Sequence, residues 1–300
     1  MEASYSPLVS VIVVTYNSAD YILETLESIK GQTYKNIELI VSDDCSSDKT
    51  LVLVRDWIDA NKNQFVRTEV VGVDNNTGVT ANYNRAINAC KGEWVKNVDG
   101  DDLLLPTCIE ENIAYVTMHP EAKLVLSNSI VFFDDSSKEL IQKPASSMLH
   151  FFEMNAAEQY LQLMQDNILL NPNSQFTKTE VVKEIGYDER IRNMEDRPFF
   201  WNCSAKGVRF HYFDKPTVKY RKHQGALTGI SGNRLISLAY YDSWVTFYYL
   251  VRKPEMERMN LDVSADERQI LWYLIVKYIF KNRGNLLTKV LSKLLGKYLF

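Results

Sequence analysis

Val9-Ser10-Val11-Ile12-Val13-Val14, followed at once by Thr15-Tyr16-Asn17, sets the architecture of the chain. The first six residues form a short, apolar, β-branched run, the mark of a strand buried on both faces. The polar triplet ends it. Tyr21, Ile22, Leu26 and Ile29 then recur at helical spacing, with Ser18 as the expected N-cap. The alternation repeats. Ile37 to Val41 reads as a second strand ending in Ser42-Asp43-Asp44-Cys45-Ser46-Ser47-Asp48, and a helix through Leu51, Val54, Trp57 and Ile58 follows. Phe65 to Val71 is a third strand, Asn75-Asn76-Thr77-Gly78 a turn, and Val79 to Cys90 a helix. Glu93 to Val98 is the fourth strand and runs into Asp99-Gly100-Asp101-Asp102, after which Pro106 opens another helix. Four rounds of strand, loop and helix predict an α/β fold, with parallel strands and crossover helices on both faces. Ligands of such sheets bind beyond the carboxyl ends of the strands, which is where these polar clusters fall.

The composition fits a folded globule. Of 300 residues 46% are hydrophobic and 24% charged, with only 12 Gly and 8 Pro, which excludes disordered and collagen-like classes. Cys45, Cys90, Cys108 and Cys203 are scattered, against a disulfide scaffold or structural zinc and in keeping with a reducing cytosol. Val9 to Val14 is too short for a signal peptide, and no stretch reaches 18 uncharged apolar residues, so the expectation is a soluble chain or one resting on a membrane. From Arg268 onward there are seven basic residues and no acid; the remaining 27 bases face all 38 acids, a net of −11. That balance argues against nucleic acid as a partner.

The second half is less regular. Strands are expected at 123–135, Val208–Tyr212 and Thr217–Tyr220, helices at 155–166, 179–186 and 195–206, and helix throughout from about 233. Gly225, Gly229 and Gly232 mark a boundary.

Asp99-Gly100-Asp101-Asp102 carries the strongest chemical signal. Residues i and i+2 of an extended strand end share a face, so Asp99 and Asp101 present two carboxylates to one hard cation, Mn²⁺ or Mg²⁺. The bland alternative is a solvated acidic turn. Glu195-Asp196 at the start of a helix is either a catalytic pair or two acids favoured by the helix dipole. In Tyr220-Arg221-Lys222-His223, Arg221 suits a phosphate clamp and His223 a third metal ligand, a surface basic cluster being the alternative. His119, His150 and His211 fit no metal spacing.

Taken in order, Thr15-Tyr16-Asn17, Ser42-Asp43-Asp44 to Asp48, Asn76-Thr77-Gly78 with Asn84, and Val98-Asp99-Gly100-Asp101-Asp102 resemble the motifs of family 2 inverting glycosyltransferases of the GT-A fold, of the bacterial polysaccharide-biosynthesis type. Glu195-Asp196-Arg197-Pro198 and Val218 to His223 look like that family's later motifs, so the likeness covers about 7–225. Cys45 departs from the family's usual Gly and implies a different backbone shape in that loop. The resemblance implies a GT-A domain over 1–232, with a nucleotide-binding half at about 7–130 and an acceptor half at about 131–232, and a helical C-terminal extension over 233–300. It implies that Thr15 and Asp44, with Asp43 nearby, hold the base, Asp44 accepting the imide N–H of uracil and so favouring a UDP-sugar. Tyr16, Asn17, Asn76, Gly78 and Arg221 complete the nucleotide side. Asp99 serves ribose or a metal-bound water, Asp101 ligates the metal on the diphosphate, and Asp196, beside Glu195, is the general base.

The implied reaction is transfer of a sugar to a hydroxyl of a glycan or lipid-linked acceptor, in surface polysaccharide synthesis, in the cytoplasm and at the inner face of the plasma membrane. A nucleotidyltransferase wants a Gly-rich loop after the first strand, yet no Gly occurs before Gly31. A non-catalytic nucleotide-sugar scaffold is the other rival. In the tail, Leu286, Leu287, Val290, Leu291, Leu294, Leu295, Tyr298 and Leu299 share one helical face and Lys289, Lys293 and Lys297 another. This suits 284–300 either to an anionic membrane interface or to packing on protein.

Overall fold

The computed structural model describes residues 5–134, 136–165, 170–223 and 234–299. Two compact units emerge: one runs to Glu189 and resumes over Glu195–Arg221, the other comprises Arg190–Met194 and Lys222 onward. The glycine-marked boundary at 225–233 lies outside the described residues.

The first unit opens with β1 (Val9–Thr15), α1 (Ile22–Lys30), β2 (Ile37–Asp43), α2 (Thr50–Asn61), β3 (Arg67–Gly72), α3 (Val79–Ala89) and β4 (Trp94–Asp99). It continues with β5 (Leu103–Leu104), α4 (Cys108–Met118), β6 (Leu124–Phe133), β7 (Ser136–Gln142), α5 (Leu149–Glu153), α6 (Ala156–Gln165), β8 (Phe176–Lys178), α7 (Thr179–Ile185), α8 (Asp196–Ala205) and β9 (Phe210–Lys222). The sheet order is β3-β2-β1-β4-β8-β6-β9-β5, with β7 on β6. β1 is parallel to both β2 and β4, and β2 to β3, whereas β8 is antiparallel to β4 and β6.

Why the first strand is apolar throughout is visible in its packing. Val9, Val11 and Val13 join one core with Ile22, Leu26 and Ile29 of α1, while Ile12 and Val14 join a second with Tyr83, Ala86 and Ile87 of α3. A pleated strand with helices on both sides needs apolar residues at every position. Each fully buried aliphatic contributes roughly 1.5–3 kcal/mol.

Three local expectations differ from the structure. Ser18 does not cap α1 with its side chain; its carbonyl accepts from Tyr21 and Ile22 N–H at 2.9 Å each. Pro106 precedes α4 by two residues instead of opening it. The strands expected at 208–212 and 217–220 are one, β9, running through Pro216. Proline breaks a strand only where its missing N–H would serve the ladder. It sits here beside the exposed pair Asp214 and Lys215.

The second unit holds α9 (Leu238–Phe247), α10 (Lys253–Arg258), α11 (Ser264–Leu274) and α12 (Leu286–Leu299). α9 passes into α10, and α11 on to Ile279, through wide π-type turns. Ile236, Tyr273 and Val276 form its core, and Arg252 pairs with Asp266 at 2.8 Å in the interior.

Candidate active site

Parallel register brings the polar strand ends together. Thr15 lies opposite Asp43, and Val14 opposite Asp99. Asp44 N–H donates to the Thr15 carbonyl at 3.1 Å and Gly100 N–H to that of Val14 at 2.9 Å. A Cβ at Gly100 would stand 2.7 Å from Thr15 Oγ1 and 2.9 Å from Thr15 Cβ, so only glycine permits this approach.

The loops after β1 and β2 are stitched to each other. Asn17 N–H donates to Ser46 Oγ and Asn17 Oδ1 accepts from Ser47 N–H, both at 2.8 Å. Ser18 N–H reaches Thr50 Oγ1 at 2.8 Å and Ala19 N–H reaches Asp48 at 3.1 Å. Cys45 has φ 67°, in the left-handed region that favours glycine, and its Sγ lies 3.3 Å from the Asp74 carbonyl. The cysteine thus occupies a backbone conformation that glycine adopts without steric cost.

The two acids of this loop behave differently. Asp43 accepts from Ser46 N–H at 2.9 Å and from Ser46 Oγ at 2.5 Å. Asp44 accepts from Thr77 N–H and hydroxyl, from Gly78 N–H at 2.7 Å and from Arg85 at 2.7 Å. Burial acts to raise its pKa, but these donors outweigh it and hold the carboxyl below its ordinary value. These bonds latch residues 76–78, at the start of α3, to the end of β2. Asn76 and Gly78 belong to that latch, Asn76 Nδ2 donating to the Asp44 carbonyl at 3.2 Å. Tyr16 is exposed beside Thr15, whose buried Oγ1 has no hydrogen-bond partner among the described residues.

The acidic motif closes into a cluster. One oxygen each of Asp99, Asp101 and Asp102 lie within 4.8 Å of one another. Tyr83 hydroxyl donates to Asp99 at 2.7 Å. Asp102 accepts from Arg221 N–H at 2.8 Å and from Asn173 Nδ2 at 2.6 Å. Burial and the neighbouring Asp101 push Asp99 up to about 6 despite the Tyr83 bond. Glu195 and Asp196, where α8 begins, act on the same field. Burial, then Asp196 and Asp99, drive Glu195 well above its ordinary value, and burial raises Asp196 although Arg197 opposes it. Clustered carboxylate oxygens are the hard donor set a divalent cation takes, and the residues fit such an ion.

Arg221 is engaged by groups of the chain itself. Its Nε donates to the Asp101 carbonyl at 2.8 Å, and its two terminal nitrogens pair with Asp134 and Glu24 at 2.7 Å each. The guanidinium is sandwiched 4.7 Å from the Tyr21 ring and 4.6 Å from that of Phe132. A buried cation already matched to two carboxylates holds the acidic loop in place. His223 belongs to the second unit, whereas the acidic cluster is drawn from the first unit alone. His150 and His119 sit beside Glu153 and Glu121, and His211 is buried beside Tyr115.

Sequence reading missed Tyr83, Lys96 and Asn173. Lys96 is fully buried, and burial lowers its pKa to about 8. Its Nζ donates to the carbonyls of Asn173 at 2.6 Å and Gln175 at 3.1 Å. A lysine inside an apolar strand was the one visible signal; Asn173 had none.

Residues 10–177 match the model of Glycosyl transferase family 2, more than half of the chain, and the chain belongs to that family. It is a glycosyltransferase. An uncharacterized glycosyltransferase of Methanocaldococcus jannaschii is 25% identical over 279 residues, 91% of this chain and 88% of its own. The Escherichia coli UDP-Glc:alpha-D-GlcNAc-diphosphoundecaprenol beta-1,3-glucosyltransferase WfaP is 26% identical over 231 residues, 76% of this chain and 83% of that one. The crystal structure of S. aureus TarS 1-349 in complex with UDP-GlcNAc superposes with a TM-score of 0.59 at 20% identity, over 89% of this chain and 80% of that one. That likeness shows the GT-A fold.

Proposed function

We propose that the chain transfers a sugar with inversion from a UDP-sugar to a hydroxyl of a glycan or lipid-linked acceptor, in surface polysaccharide synthesis and with Mn²⁺ or Mg²⁺. The observation that carries this reading is the cluster of Asp99, Asp101 and Asp102 oxygens at the end of β4, with Asp196 acting to raise the pKa of Asp99, and Asp196 and Asp99 acting to raise that of Glu195. The cluster suits a cation on a diphosphate and Glu195 with Asp196 suits proton transfer, the two needs of glycosyl transfer. UDP as the donor is supported by what WfaP and TarS are said to use or bind.

In this reading the base lies against Thr15, Tyr16 and Asn17. Asp44, with Asp43 nearby, accepts the imide N–H, its carboxylate already oriented by Thr77, Gly78 and Arg85. Asp101 and Asp99 hold the cation. A bound divalent cation supplies charge neutralisation of the departing diphosphate. Asp196, beside Glu195, takes the acceptor proton as the hydroxyl oxygen bonds to C1 and the C1–O bond to phosphate breaks, releasing UDP. Holding both partners together supplies the positional part of the acceleration. Residues of about 7–130 form the donor half and 131–232 the acceptor half. A lipid-linked acceptor puts the work on the cytoplasmic side of a bilayer, with contact through 284–300.

The test is calorimetric titration of UDP and GDP with Mn²⁺ and with EDTA. Metal-dependent binding of UDP alone is expected. Binding of neither would leave a non-catalytic scaffold as the better account.

A further inference from the structure

The sequence leaves α12 equally suited to packing on protein and to lying in a membrane interface. The structure separates these. Leu287, Val290, Leu291 and Leu294 occupy the middle of the apolar arc, and they are 66%, 48%, 37% and 49% exposed. A helix packed on its own domain hides the centre of that arc and shows its margins; here the centre is open. The turn over 280–285 joins α12 to the helix end carrying Tyr278 and Ile279, which are 66% and 69% exposed. Exposed apolar residues thus stand on both sides of the polar, basic turn 281–285.

Charge identifies the occupant. Lys289 and Lys293 are exposed on the flank of the apolar arc, and no acid occurs from residue 268 to the end. A second copy docking through the same face would bring its own lysine stripe against this one, with no carboxylate to answer it. An anionic lipid surface answers both features at once, with acyl chains for the leucines and headgroups for the lysines. No helix among the described residues is long and apolar enough to cross a membrane.

We infer that the end of the second unit, Tyr278–Ile279 with α12, is an interfacial membrane-binding surface for anionic phospholipid. The inference deepens the acceptor side of the proposed function, since a lipid-linked acceptor is presented in that plane, but it does not depend on the donor or the metal.

Flotation of the full chain with phosphatidylcholine vesicles, with and without 30 mol% phosphatidylglycerol, tests it. Anionic vesicles should carry at least tenfold more protein than neutral ones, and 0.5 M salt should reverse most of that. L287E/L294E should lose binding at least tenfold, and K289Q/K293Q several-fold, with the melting temperature of each variant unchanged because all four positions are exposed. No flotation of the full chain overturns the inference, as does undiminished flotation of L287E/L294E. A concentration-dependent dimer in sedimentation that L287E/L294E abolishes, without vesicle binding, assigns the face to a second copy instead. Vesicle binding without metal-dependent UDP binding would leave this surface standing and remove the donor reading; the opposite pair of results would do the reverse.

Discussion

Arg221 donates from Nε to the backbone carbonyl of Asp101 at 2.8 Å, so a residue near the end of β9 fixes the middle of the acidic motif. The same side chain answers Asp134 and Glu24, and its rigid fork is what allows three acceptors at once. Lysine offers a point charge and cannot reproduce this.

Arg221→Lys is therefore expected to raise the Mn²⁺ needed for half-maximal UDP binding about tenfold, a shift of roughly 1.4 kcal/mol, and to lower the melting temperature. At saturating Mn²⁺, UDP affinity should recover to within about threefold. A large loss of UDP affinity that Mn²⁺ never repairs, with uridine binding intact, would return Arg221 to the diphosphate.

Asp43 and Asp44 should separate cleanly in a pair of variants. Asn at 43 keeps an oxygen for Ser46 N–H and can donate to Ser46 Oγ, so Asp43→Asn should keep the parent's stability. Asn at 44 turns an amide donor toward Thr77, Gly78 or Arg85, all of which are donors. Asp44→Asn should cost about 1–3 kcal/mol of stability, read by denaturant unfolding. Equal stability losses in the two variants would refute the division of labour.

Gly100→Ala places a methyl group 2.7 Å from Thr15 Oγ1. Overpacking of that kind costs about 1–3 kcal/mol. The strand ends must part, so metal-dependent UDP binding should fall along with stability. Unchanged binding would show that the close approach of the two strands is not needed by the site.

Glu38 predicts a pH effect away from the site. It is buried in β2 and accepts from Ser10 at 2.5 Å, Arg67 at 2.7 Å, and the N–H groups of Lys91 at 2.6 Å and Gly92 at 2.9 Å. Burial acts to raise its pKa, yet these donors prevail and the folded value lies below the ordinary one. The stability it contributes is present above the unfolded carboxyl value of about 4.3 and is lost as pH falls through the lower folded value. Glu38→Gln should cost roughly 3 kcal/mol at pH 7, with the gap to the parent closing as pH drops below about 4. A gap that stays constant with pH would mean that Glu38 does not titrate differently on folding.

The parallel half was legible because each of its features is local. Val9–Val14, Ile37–Val41 and Glu93–Val98 announce strands by composition, and the acids that follow mark the ligand edge. The antiparallel half was not legible in the same way. β8 has three residues and β5 two, too few for any periodicity, and they are strands only because β4, β6 and β9 lie beside them. The motif acids could be found by spacing but their employment could not. Asp44 and Arg221 carry the right charges for ligand binding, and only the positions of Thr77, Arg85, Glu24 and Asp134 reveal that both are already engaged.

β4 has a parallel neighbour on one side and an antiparallel one on the other. Lys96 of β4 lies opposite Phe176 at the beginning of β8, and the stretch before β8 delivers Asn173 to Asp102. Chain inserted or exchanged between β6 and β8 arrives beside the acids without altering the order of β1 to β4. A change confined to that connection would remodel the surroundings of Asp102 while leaving the parallel register of β1 to β4 as it stands.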